Sequence, residues 1–221
     1  MRGARPSTLT ALRFLAIALA VRGPAVADGG EAGFRFAEEG VFRVERVAGD
    51  ELAHDIYCLA LDAGGRPFVS GPGYIRRLDD RDGDGFYDST TEFFRGPRTG
   101  CMGMVFHGKH LYTTGGRGLE RYSDADGDGV ADGPPELLLP LATGGEHSSH
   151  ALRIGPQEKL YFLGGNGCGL KHEQVRGFSP VKRHYAGVFC RLDLEARAVA
   201  GWCEGLRNAY DIDVTPTGDI F

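Results

Sequence analysis

Two stretches of the chain, RRLDDRDGDGFYDSTTEFF at 76–94 and ERYSDADGDGVADGPPELL at 120–138, superpose with a shift of 44 residues. A repeat of this length restricts the fold severely, because one unit cannot bury its own apolar face and must stack against its neighbours. The period suits a four-stranded propeller blade. A second phrase, an apolar strand, a tight polar turn and another apolar strand, recurs as YCLALDAGGRPFVSG, GMVFHGKHLYTTGG, HALRIGPQEKLYFLGG and YDIDVTPTGDIF. Glycine or proline marks each turn, where a reversing chain needs unusual or preset φ. Equivalent strands lie about 45, 48 and 60 residues apart, which fits blades of four strands carrying insertions of different length. The expected fold is all-β, a β-propeller with about four blades or fewer represented, and the 35 glycines agree with many tight turns. The chain stops at Phe221, inside the second strand of the fourth hairpin, so a partial reading frame is expected.

Residues 1–27 read as a removable leader. Arg2, Arg5 and Arg13 precede the apolar run FLAIALAV, and Ala25-Val26-Ala27 offers a small-residue cleavage site. The run is shorter than the ~20 apolar residues a spanning helix needs, so export is expected, to the periplasm or outside the cell, with no membrane span in the mature chain at 28–221. Loss of four arginines and no acid moves the formal net charge from −5 to about −9. Such a surface argues against nucleic acid as a partner.

In each superposed loop, aspartates recur at positions 1, 3, 5 and 9: Asp80, Asp82, Asp84 and Asp88, then Asp124, Asp126, Asp128 and Asp132. Glycine holds position 6 (Gly85, Gly129), where a calcium loop turns sharply, and position 7 (Phe86, Val130) is the usual backbone-carbonyl ligand. Position 12 lacks the bidentate glutamate and holds Thr91 or Pro135; Glu92 and Glu136, one place later, are candidate substitutes. The loops join strands, so they read as calcium staples on blade edges that support the fold.

The five cysteines are odd in number and show no close metal spacing. Cys190 and Cys203 flank an expected hairpin and either bridge or serve as small buried hydrophobes. The 166–187 stretch reads either as a loop over one mouth of the propeller or as an unstructured surface loop. His107 and His110 are expected in solvent, and Trp202 between blades.

The stretch GEHSSHALRIGPQEKLYFLGGNG at 145–167 places two histidines and a glutamate before one of these hairpins. On a strand, residues three apart face opposite ways, but the preceding glycines allow a loop from which His147 projects. His147 is then a general base, a metal ligand or a hydrogen-bonded structural histidine.

That run, followed about forty residues later by GLRNAYDIDVTPTGDIF, resembles the soluble quinoprotein glucose/sorbosone dehydrogenases, in particular the exported propeller domains of planctomycete-type membrane-bound dehydrogenases. The resemblance covers most of 40–221 and implies a six-bladed propeller that holds pyrroloquinoline quinone (PQQ) over its central opening, with calcium nearby. It places the catalytic base on His147, a cofactor-side cation on Arg207 and a further cofactor contact on Asn208. Asn166 stands where the family has the aspartate that orients the histidine, and Ala209-Tyr210 replace a more usual proline. The family's other cofactor-binding lysine and arginines would lie beyond Phe221, and the chain has no C-x-x-C-H for haem. The expected activity is hydride transfer from a sugar or alcohol to PQQ, with a c-type cytochrome or quinone as electron acceptor. A second reading is a non-catalytic propeller that binds glycan or protein, the front domain of a larger haem protein. A third is a metal hydrolase built on Glu146, His147 and His150.

Overall fold

A computed structural model of the protein describes residues 46–171, 174–176 and 187–221; the expected leader lies outside them. The first sheet contains β1 (Cys58–Leu61), β2 (Pro67–Gly71), β3 (Tyr74–Asp79) and β4 (Ser89–Phe94), hydrogen-bonded in that order. The second repeats the plan with β5 (Cys101–His107), β6 (His110–Gly115), β7 (Gly118–Ser123) and β8 (Glu136–Pro140). The third contains β9 (Ser149–Ile154), β10 (Leu160–Gly164), β12 (Gly187–Asp193) and β13 (Ala198–Leu206) in antiparallel order, with β11 (Val175–Arg176) added in parallel beyond β13. A fourth hairpin opens at Val214–Ile220, where Asp213 and Phe221 exchange backbone hydrogen bonds. Each of the three sheets is a blade, and the expected all-β propeller architecture is found. No helix among the described residues is long and apolar enough to cross a membrane.

The blades stack because the second strand of each, β2, β6 and β10, is buried on both faces. In β10, alternate side chains part company: Leu160 and Phe162 join the core between the second and third blades, while Tyr161 and Leu163 meet Ile212 of the fourth hairpin. In β2, Phe68 packs toward Met104 and Tyr122 of the second blade, and Val69 packs toward Ala53 on the other side. Each fully buried Leu or Phe here stabilises the stack by about 1.5–3 kcal/mol relative to exposure. Phe68 and Phe106 cross the first interface with ring centroids 4.7 Å apart, and Tyr122 lies 4.9 Å from Phe94. Neighbouring blades are also tied through their first, inner strands β1, β5 and β9: the Cys58 thiol donates to the Cys101 carbonyl, and the hydroxyl of Thr114 on β6 donates to the carbonyl of His150 on β9.

Three expectations need correction, and the choice left open for one cysteine pair is settled. Cys190 and Cys203 are both free, Cys190 as a buried apolar residue and Cys203 exposed. In the β12–β13 register Cys203 lies opposite Phe189 and Cys190 opposite Gly201, so a bulge puts the two thiols on different faces. Trp202 packs within its own blade, edge-on to Tyr161 and beneath Arg191, and is 48% exposed. His110 is not simply solvated: its Nδ1 lies 3.2 Å from the Ser123 hydroxyl, and burial holds its imidazole below the usual range. The 166–187 segment is not confined to a mouth, since Val175–Arg176 pair with Val199–Ala200 at the blade's outer edge; residues 172–173 and 177–186 lie outside the described residues.

Candidate functional site

Antiparallel connection sorts the loops by end. The β1–β2, β3–β4, β5–β6, β7–β8 and β9–β10 turns fall at one end of the blades. The β8–β9 connection, the segment after β10 and the segment after β13 fall at the other. Both aspartate loops are therefore at one end. His147, Asn166, Arg207 and Asn208 are together at the opposite end, on three separate connections.

At that end the three connections are hydrogen-bonded to one another. Nδ1 of His147 lies 2.5 Å from Oδ1 of Asn166, and the Asn166 backbone N–H donates to the Arg207 carbonyl at 2.9 Å. The His147 carbonyl accepts from Gly167 N–H at 2.7 Å. Gly165 is required here, because a Cβ would sit 2.4 Å from the His147 carbonyl oxygen. An amide oxygen only accepts, so Nδ1 of His147 carries a proton in this contact, and the neutral tautomer that satisfies it has its lone pair on Nε2. The nearest carboxylate to Nε2 is the exposed Glu146, at 3.9 Å. Arg207 is exposed, and its guanidinium has no partner among the described residues.

His150, three residues on and inside β9, is 1% exposed. Its Nε2 lies 2.7 Å from Oδ1 of Asn208, and its Nδ1 is buried without a partner among the described residues. Tyr210 leans over the ring with centroids 5.4 Å apart. Sequence reasoning considered His150 only as a metal ligand and missed this pairing, whose partner is 58 residues away. Glu146, His147 and His150 do not converge as a ligand set, because one imidazole is committed to Asn208 and Glu146 points into solvent. The hydrolase constellation is not assembled.

The aspartate loops match each other bond for bond. Asp80 accepts from Gly83 and Gly85 N–H, as Asp124 does from Gly127 and Gly129. Asp84 accepts from Phe86 N–H and Asp128 from Val130 N–H; Asp88 accepts from Arg81 N–H and Asp132 from Ala125 N–H. Gly85 and Gly129 both hold positive φ, 93° and 88°. Ligand oxygens of Asp80, Asp82 and Asp88 lie within 4.8 Å of one another, as do those of Asp124, Asp126 and Asp128. This all-oxygen, anionic donor set fits a hard cation such as calcium. Glu92 and Glu136 do not complete it. Glu92 pairs with Arg95, and Glu136 with Arg121 and Arg197, the Arg197 hydrogen bond holding its carboxyl below the usual range. The second loop also clasps the first blade: Arg77 donates to the Asp128 carbonyl at 2.9 Å, and Ala131 N–H to the Phe93 carbonyl.

Two solved structures share this arrangement of strands. An oxidoreductase (glucose dehydrogenase) from Thermus thermophilus superposes with a TM-score of 0.55 at 20% identity, over 80% of this chain and 60% of its own. The PQQ-bound form of aldose sugar dehydrogenase from Streptomyces coelicolor superposes with a TM-score of 0.55 at 18% identity, over 76% of this chain and 55% of its own. The fold is that of the sugar dehydrogenase propellers. The chain spans less than two thirds of either structure. No protein-family model matches the sequence, and no curated protein does.

The donor set at the His147 end suits a planar, polyanionic quinone. It offers the exposed guanidinium of Arg207, which has no partner among the described residues, the amide of Asn208, and Nε2 of His147 as a basic nitrogen.

Proposed function

We propose that the protein is an exported, calcium-stapled propeller oxidoreductase that oxidises a sugar or alcohol with PQQ. The observation that carries the reading is the orientation of His147. Asn166 holds its Nδ1–H, which leaves Nε2 as the acceptor, and the same Asn166 donates its backbone N–H to the carbonyl of Arg207, whose guanidinium has no partner among the described residues. When bound, PQQ supplies the hydride acceptor. His147 Nε2 takes the proton from the substrate hydroxyl as its carbon is oxidised, the role of a positioned general base. Arg207 offers fixed positive charge to anionic oxygens at the mouth. Asn166 keeps the imidazole in the required tautomer, although a neutral amide cannot offset the imidazolium that forms. Electrons then pass to a c-type cytochrome or a quinone.

That neutral orienter favours a second reading, a non-catalytic propeller that binds glycan or a protein partner. Fold alone does not choose between them. A spectral titration of PQQ into calcium-loaded protein distinguishes the two. Saturable binding weakened at least tenfold by Arg207→Ala is expected, whereas no saturable binding, with binding to a glycan panel instead, overturns the oxidoreductase reading.

A further inference from the structure

Behind the mouth, one buried side chain has a bonding pattern that the base and the cation do not explain. His150 is enclosed in the wall by β9 and by the Tyr210 ring, and its carbonyl is held by Thr114 of the second blade. Only one of its ring nitrogens faces an acceptor. Nε2 meets Oδ1 of Asn208 at 2.7 Å, and among the described residues Nδ1 has no group to which it can donate. The imidazole proton therefore sits on Nε2, and the Asn208 amide is pinned by its oxygen. Because the oxygen and nitrogen of an amide leave the carbonyl carbon in different directions, pinning the oxygen against the wall turns the NH2 edge away from it. Asn208 follows Arg207 on the connection after β13, where the Arg207 carbonyl accepts from the Asn166 N–H beside His147.

We propose that His150 is a positioning residue, which orients Asn208 so that its NH2 donates to an anionic oxygen of the ligand that Arg207 attracts. The proposal rests on the quinone reading for the ligand's identity but not for the orientation itself. The sequence alternative for this histidine, metal ligation, is replaced by a rotamer lock reaching from the inner strand of one blade to the connection that leads out of it.

Two substitutions with the same amide chemistry and different reach separate positioning from bulk packing. His150→Gln places a donor close to where imidazole Nε2 lies, and His150→Asn places it near Nδ1, too short to reach Asn208. The first readout is NMR without ligand. The wild type is expected to show the Nε2–H tautomer at His150. The Asn208 NH2 resonances, identified with Asn208→Ala, should be shifted in His150→Asn and retained in His150→Gln. An Nδ1–H tautomer, or an Asn208 amide indifferent to His150→Asn, overturns the proposal. The second readout is PQQ affinity. Loss of one well-placed hydrogen bond to a charged group weakens binding about tenfold. His150→Asn should show that loss and His150→Gln less than about threefold. The double variant His150→Asn/Asn208→Ala should be no weaker than Asn208→Ala alone. Additive losses overturn the coupling. A matched fall in the thermal midpoint of His150→Asn and His150→Gln without change at Asn208 assigns His150 to packing and also overturns it. If wild-type protein binds no PQQ, the quinone reading fails and the NMR result alone decides the positioning claim.

Discussion

Calcium should stabilise the protein by an amount set by what its two aspartate loops lack. Each loop clusters carboxylate oxygens within 4.8 Å, yet the glutamates that could have closed the coordination are committed to arginines. Without a bidentate closing ligand, the sites belong with extracellular modules, whose dissociation constants are about 10⁻⁴–10⁻³ M. At ~10 mM calcium, binding to the native state alone then contributes about 1.4–2.7 kcal/mol per site, or about 3–5 kcal/mol for two. For a unit the size of Ala48–Phe221, 1 kcal/mol moves the thermal midpoint by about 2–4 °C, so the expected rise is about 6–20 °C. Differential scanning calorimetry in ~10 mM calcium against EGTA measures it. Asp124→Asn keeps an oxygen for the Gly127 N–H but removes a charge, and should cut the rise by about half. An equal midpoint in calcium and EGTA would refute the staple reasoning, and an equal rise in magnesium would refute its size argument.

Three further outcomes follow from particular bonds. Arg77→Met removes the partly buried guanidinium that joins Asp79, Thr91 and the Asp128 carbonyl across the first blade interface. A loss of about 2–3 kcal/mol is expected in urea unfolding; a loss below about 0.5 kcal/mol would deny the clasp any role. All five cysteines are free, and burial pushes the Cys101 and Cys190 thiols up to about 12 and raises those of Cys58 and Cys168. Ellman's reagent at pH 8 should therefore find one fast thiol, the exposed Cys203, and five after denaturation. Asp193, hydrogen-bonded by Lys159, is lowered to about 2. Its contribution is thus complete above the unfolded carboxylate value and is lost as pH falls through about 2, and a carboxyl NMR titration should show Asp193 protonating well below the ordinary aspartate range.

Much of the scaffold was legible because a propeller repeats its local rules. The 44-residue shift and the hairpin phrase locate three blades. Their strands read as apolar runs, since β2 and β10 are buried on both faces. What escaped depends on contacts distant in sequence or on a slip in register. The bulges between Gly187 and Val188 and between Phe189 and Cys190 set the partners of β13, and the second of them puts Cys203 on the face opposite Cys190. Glu136 finds Arg197 at 61 residues' distance, and no loop pattern announces that partner. Val175–Arg176 form a strand only because β13 leaves an outer edge to pair with. At the site, the bond between His147 and Asn166 matches the pair that family resemblance singled out, although composition and spacing alone left His147 undecided. The lock of His150 on Asn208 had no sequence signal, because either residue alone is ordinary on a strand or in a loop.

The most direct test of the account is the change in absorbance of PQQ held by calcium-loaded protein when a sugar panel is added, followed for the wild type and for His147→Ala. A general base contributes about 10²–10⁴ to such a step. The account predicts a rapid sugar-dependent change in the wild type, slowed by at least about a hundredfold in His147→Ala with PQQ still bound. An equal rate in the two proteins, or bound PQQ that no sugar alters, would contradict it.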